Sequence, residues 1–129
     1  MYTFEEVGQM LDDIAAEIPE AFYTELNGGI VLLPDVKMHP ASHRDHGLYI
    51  LGEYHNDRTG YGGLGRYITI YYGSFVRVYP HLSPRDMREM LKDTLLHEFT
   101  HHLESLAGER GLELRDHQEI EDYLRGVGD

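Results

Sequence analysis

Between Ser83 and Gly108, Met87, Met90, Leu91, Leu95, Phe99, Leu103 and Leu106 recur three and four positions apart. That spacing predicts one long α-helix with a single apolar stripe, and such a stripe has to be buried against other parts of the chain. Ser83 is placed to cap the helix, Pro84 suits its first turn, and Asp86 stands where a capping carboxylate belongs. Gly108 is the expected C-cap.

The segments before it supply the surface to be covered. Phe4, Val7, Met10, Leu11, Ile14, Ala15 and Ile18 predict a first helix over residues 3–17, with Thr3 and Glu6 forming a capping box. Pro19 ends that helix or starts a short second one through Leu26. "NGG" at 27–29 is a turn, and "IVLLP" reads as a short buried strand. Residues 34–47 form a polar loop carrying His39, His43 and His46, which lacks the fixed geometry a metal site needs. "LYILGEYH" (48–55) reads as a strand, and "RYITIYYGSF" (66–75), alternating aromatic and β-branched residues, as the strongest one. Residues 116–125 make a short acidic final helix. The expected architecture is a single α+β domain over residues 1–129: a small mixed sheet, a long helix and a short C-terminal helix.

Charge narrows the function. A formal net charge of -12 disfavours nucleic acid, whose phosphates would be repelled. With no cysteine, thiolate metal sites and disulfides are excluded, and a reducing compartment fits. No segment approaches the roughly 18 apolar residues of a membrane span, and the acidic start is unlike a secretory signal. The reading is a cytoplasmic protein without a membrane partner. Nine histidines are the more informative excess, because imidazole is the commonest nitrogen ligand for metals.

Four of the helix's polar positions concentrate chemistry: His97, Glu98, His101 and His102. Residues four apart lie about 40° apart around a helix and roughly 6 Å along it, so the imidazoles of His97 and His101 can converge on one ion. Glu98, turned about 100° from His97, is placed to act on a water beside that ion. This is the working content of the His-Glu-x-x-His pattern: two ligands and a general base. The alternative is a pair of interior histidines bonded to carbonyls. His102, about 100° from His101, is expected to pack or to make a hydrogen bond.

Together "LLHEFTHHLESLAGERGLELRD", "GRYITIYYGSF" and "EIPEAFYTELNGGIVLLP" resemble the small predicted zinc metallopeptidases of bacteria, which are minimal zincin-like domains. The resemblance spans nearly the whole chain. It implies a strand preceding an active-site helix, zinc (Zn2+) ligands at His97 and His101, and a general base at Glu98. The family's pattern continues with a glycine and then an aspartate at three-residue steps, where this chain has Glu104 and Ala107.

That departure leaves the third ligand open. Glu104 shares the face of His97 and His101, but its α-carbon lies roughly 7 Å along the axis from their midpoint, which suits orienting an imidazole better than ligation. Read as a lengthened form of the family's step, "GLELRD" assigns the third ligand to Asp116, brought back by Gly108 and Gly111. Asp116 as a helix cap, Glu113 and His117 remain alternatives. The expected function is zinc-dependent hydrolysis of a peptide or protein substrate. Tyr71, Tyr72 or Tyr79 could stabilise an oxyanion, and the strand at Arg66–Tyr72, if an edge, could hold an extended peptide. The competing reading is a zincin-like interaction module with a weak, structural or absent metal site. Substrate preference and oligomeric state are not legible.

Overall fold

The computed structural model describes residues 1–40, 48–57, 65–109 and 120–126. Helix α1 spans Phe4–Glu17, and its capping box forms as the sequence predicts: Glu6 N–H donates to Thr3 Oγ1 (3.1 Å) and Thr3 N–H to Glu6 Oε1 (2.9 Å). A 3-10 turn, Glu20–Tyr23, follows Pro19. Strands β1 (Gly29–Leu33), β2 (Lys37–Met38), β3 (Tyr49–Ile50), β4 (Gly52–Asn56) and β5 (Arg66–Tyr71) precede helices α2 (Tyr72–Val78) and α3 (Pro84–Glu109). Residues 120–126 are helical. The architecture is α+β, as expected. No helix among the described residues is long and apolar enough to cross a membrane.

The main sheet has the order β1-β5-β4, with β1 parallel and β4 antiparallel to β5. β5 is therefore central and cannot receive an added strand; among the described residues the edge lying along α3 is β4. This corrects the expectation of an edge at Arg66–Tyr72. Ile68 and Ile70 of β5 join Val7, Leu11, Phe22, Phe75, Met87, Leu91, Leu95 and Phe99 in one core. The α3 stripe is the one read from the sequence, except that Met90 is only half-buried and Leu96 is buried as well.

Three boundaries differ from the sequence reading. The strand expected over 48–55 divides at Leu51, because Tyr49 and Ile50 pair with β2 while Gly52 onward pairs with β5. The strand expected over 66–75 ends at Tyr71. Beyond it Gly73 lies so close to the backbone oxygens of Pro34 and Asp35 that an added Cβ would stand 2.7 Å from each. The buried Ser74 hydroxyl bonds both Lys37 N–H (2.9 Å) and Lys37 C=O (3.1 Å), work that a ladder partner would otherwise do. Gly108 does not end α3; the helix continues to Glu109 with Gly108 outside the left-handed region. At its start α3 is capped as expected, with Asp86 N–H donating to Ser83 Oγ (3.2 Å).

Candidate metal and catalytic site on α3 and β4

Gly52, Tyr54 and Asn56 of β4 turn toward α3, while Glu53 and His55 turn to the other sheet face, as strand alternation requires. The first set meets α3 in register: Gly52 at Thr94, Tyr54 at His102, Asn56 at Ser105. Strand and helix therefore run side by side in the same direction. Gly52 permits the close approach. A Cβ there would meet Ile70 Cδ1 at 3.0 Å, Thr69 O at 3.1 Å and Thr94 Cγ2 at 3.2 Å.

The ladder also fixes where the edge points its backbone. Tyr71 N–H donates to Leu51 O (2.9 Å) and Asp57 N–H to Gly65 O (2.8 Å), so residues 51, 53, 55 and 57 exchange bonds with the β5 side. Gly52 and Tyr54 consequently direct their N–H and C=O groups away from β5. The Tyr54 N–H acts on the Glu98 carboxylate and favours its charged form.

His97 and His101 are exposed on α3, with Nε2 atoms 3.2 Å apart and rings at 88° to one another. Two nitrogens about 2.05 Å from one ion in tetrahedral arrangement stand roughly 3.3 Å apart, so this pair suits a zinc-sized ion. A hydrogen bond between the rings uses the same separation when one Nε2 carries a proton. Beside them Glu98 is only 6% exposed. Burial pushes its carboxyl above the usual range, while the charges of His97 and His101 and the Tyr54 N–H oppose the rise. These three side chains and Gly52, Glu53 and Tyr54 line a pocket of about 490 Å³.

The remaining predicted residues fall elsewhere. Glu104 is exposed and lines a separate groove with Leu103, Ala107 and Ile120. Asp116, Glu113, His117 and Gly111 lie outside the described residues, as do His43 and His46. Among the described residues no three His, Asp or Glu side chains come together as a metal-holding group. Of the three tyrosines, Tyr72 donates to Tyr2 O and Tyr71 to Glu53, while Tyr79 lines a pocket containing His97 and Glu98.

His102 makes the hydrogen bonds expected of it. Wholly buried, it places Nε2 2.7 Å from Thr24 O, so Nε2 carries the proton. Nδ1 then accepts from the Tyr54 hydroxyl at 2.9 Å. Burial lowers its pKa, which favours this neutral tautomer. Sequence reasoning missed Gly52, Glu53 and Tyr54. The only hint was "LGEYH", a glycine inside a strand pattern, which marks a close backbone approach. Glu53 is held by Lys37 and Tyr71. Burial works to raise its pKa, and those two partners together keep it below the usual range.

Fold and site define a class: a small α+β domain whose His-Glu-x-x-His helix lies along an antiparallel edge strand. Compared with known proteins, the chain matches no family model and no curated protein. Among solved structures it is similar to a conserved hypothetical protein from Thermus thermophilus, at 36% identity over 82% of this chain and 98% of that one, with a TM-score of 0.68. The chain belongs to the family of that protein.

Proposed function

We propose that this protein is a zinc-dependent peptidase whose metal is held by His97, His101 and a third side chain from beyond α3, Asp116 being the assignment. The observation that carries this reading is the pair of Nε2 atoms converging 3.2 Å apart beside the buried Glu98 carboxylate. Zinc in that position supplies Lewis acidity, polarising a peptide carbonyl and acidifying water.

The chain's own groups do the rest. Glu98 takes the proton of the attacking water and returns it to the leaving amine. Its raised proton affinity suits a base that must also act as an acid. The Tyr54 N–H favours the charged carboxylate that accepts this proton. The outward backbone groups of Gly52 and Tyr54 C=O are placed to pair with an extended peptide, aligning a scissile bond over the histidines. Such a substrate brings no side-chain requirement at the edge, because main-chain bonds carry the alignment.

The test is hydrolysis of an unfolded protein by zinc-loaded protein, with and without a chelator. Chelator-sensitive cleavage that Glu98→Gln abolishes supports the reading. Zinc uptake at one ion per chain without any cleavage favours the interaction-module reading instead.

A further inference from the structure

Around α2 and the short ribbon of β2 and β3, one side of the molecule leaves apolar surface in water. Met1, Val36, Met38, Leu48 and Val78 are each at least 40% exposed, and they are the large hydrophobic side chains so exposed among the described residues. A cavity of about 610 Å³ lies between the segments that carry them, walled by Val36, Tyr49, Val76 and Pro80 with Arg77 among them. Met38 pairs with Tyr49, Leu48 precedes it, and Val78 follows Arg77, so these side chains adjoin the cavity's lining. Contiguous exposed apolar surface of this kind marks an interface.

The face is held in shape without a partner. A ribbon of two paired residues per strand is too short to stand alone in water, and the Ser74 hydroxyl of α2 pins it through both backbone groups of Lys37. Gly73 lets the ribbon press against the helix, where an added Cβ would stand 2.6 Å from Val36 Cγ2. The charges of this face are distinctive too. Arg66, Arg85, Arg88 and Arg125 each pair with a carboxylate, whereas Arg77, exposed, has no ion-pair partner among the described residues. Asp35, exposed and with its backbone beside Gly73, has none either. Arg77 stands four residues beyond Gly73, on the same side of α2. In a chain of net charge -12, this face therefore offers one unpaired cation and one unpaired anion.

We propose that this face joins two copies of the chain in a symmetric dimer, in which the apolar residues meet their own counterparts and Arg77 pairs with the partner's Asp35. A two-fold axis sets the same patch on both sides of the contact, so one cation and one anion per face complement each other twice. The charge balance selects this occupant. Copies of net charge -12 repel wherever their acidic surfaces meet, and they can approach closely only through a face whose own charges cancel. Methionine, tyrosine and arginine are also side chains that interfaces favour. The inference goes beyond the function proposed above and does not depend on it.

Sedimentation equilibrium of the full chain over a range of concentrations tests the interface. The mass is expected to rise with concentration from 14.9 kDa toward twice that value. Leu48→Asp, Asp35→Arg and Arg77→Asp should each weaken association at least about tenfold, the first by placing a charge in the apolar contact and the others by setting like charges together. All three positions are exposed, so the fold tolerates the changes. The double variant Asp35→Arg/Arg77→Asp rebuilds both pairs in reversed order and should restore association. Damage to folding could not produce that rescue, so it isolates the pairing between copies. A mass of 14.9 kDa at every concentration overturns the proposal. So does a dimer that survives all three single changes, or a double variant that stays dissociated.

Discussion

The hydroxyl of Tyr54 donates to Nδ1 of the buried His102 at 2.9 Å, joining the edge strand directly to the helix that carries both histidines. His102 in turn donates from Nε2 to Thr24 O at 2.7 Å, so one imidazole ties β4 and α3 to the segment after the 3-10 turn. From the same strand the Tyr54 backbone N–H acts on the Glu98 carboxylate and favours its charged form.

Replacing Glu98 by Gln removes a proton acceptor but keeps shape and a hydrogen-bonding oxygen. Peptide hydrolysis should fall by about 10²- to 10⁴-fold, the usual contribution of a general base. Zinc content, measured by atomic absorption, should not change. Cleavage at the wild-type rate would rule out Glu98 as the base.

Zinc binding should raise the melting temperature, since a ligand at 100 times its Kd adds about 2.7 kcal/mol to the folded state. His97→Ala and His101→Ala should each abolish the rise, because two convergent nitrogens are needed. Asp116→Ala should weaken it. Zinc-induced stabilisation that survives His97→Ala would place the ion elsewhere.

Gly52→Val tests the approach of β4 to α3. The added side chain meets Ile70, Thr94 and the backbone oxygen of Thr69 within 3.2 Å of its Cβ, so strand and helix must part. A stability loss of about 1–3 kcal/mol is expected from urea unfolding, as for other overpacked sites. The His102 ring resonances should also shift as the Tyr54 hydroxyl draws away from Nδ1. Unchanged stability would show that the strand yields freely.

His102→Leu leaves the Thr24 carbonyl and the part-buried Tyr54 hydroxyl without their partner, at a cost of about 1–3 kcal/mol. The unfolding midpoint in urea measures it.

Stability should also depend on pH at both ends. His102 has its pKa lowered by burial, so below about pH 6.5 the unfolded chain takes up a proton that the folded chain resists. Stability present above that pH is lost as pH falls, and His102→Leu should flatten this acid arm. Burial pushes Tyr23 up to about 12, and its hydroxyl donates to Ala15 O at 2.6 Å. The unfolded tyrosine ionises near pH 10, so stability is lost as pH rises from about 10 toward 12. Unfolding midpoints at pH 5.5, 8 and 11 check both arms, and Tyr23→Phe should reduce the alkaline one, to which Tyr54 and Tyr71, also raised by burial, contribute.

Local chemistry made several features legible in the sequence. The capping box at Thr3 and Glu6, the Ser83 cap of α3 and the buried stripe of that helix depend on residues within one or two turns, so spacing alone determines them. The convergence of His97 and His101 is of the same kind, a property of any helix four residues on. What the chain order could not reveal was partner choice. Whether "RYITIYYGSF" lies at the centre or the edge of a sheet, and whether it stops at Tyr71, depends on β1, β4 and the Pro34–Asp35 backbone, all remote in sequence. Gly52 reaches Thr94 and Tyr54 reaches His102 across more than 40 positions of chain, through ladder register and close approach. Sequence determined the helix that carries His97 and His101; tertiary structure alone decided which strand stands beside it, because hydrogen-bond register is settled only when separate segments meet.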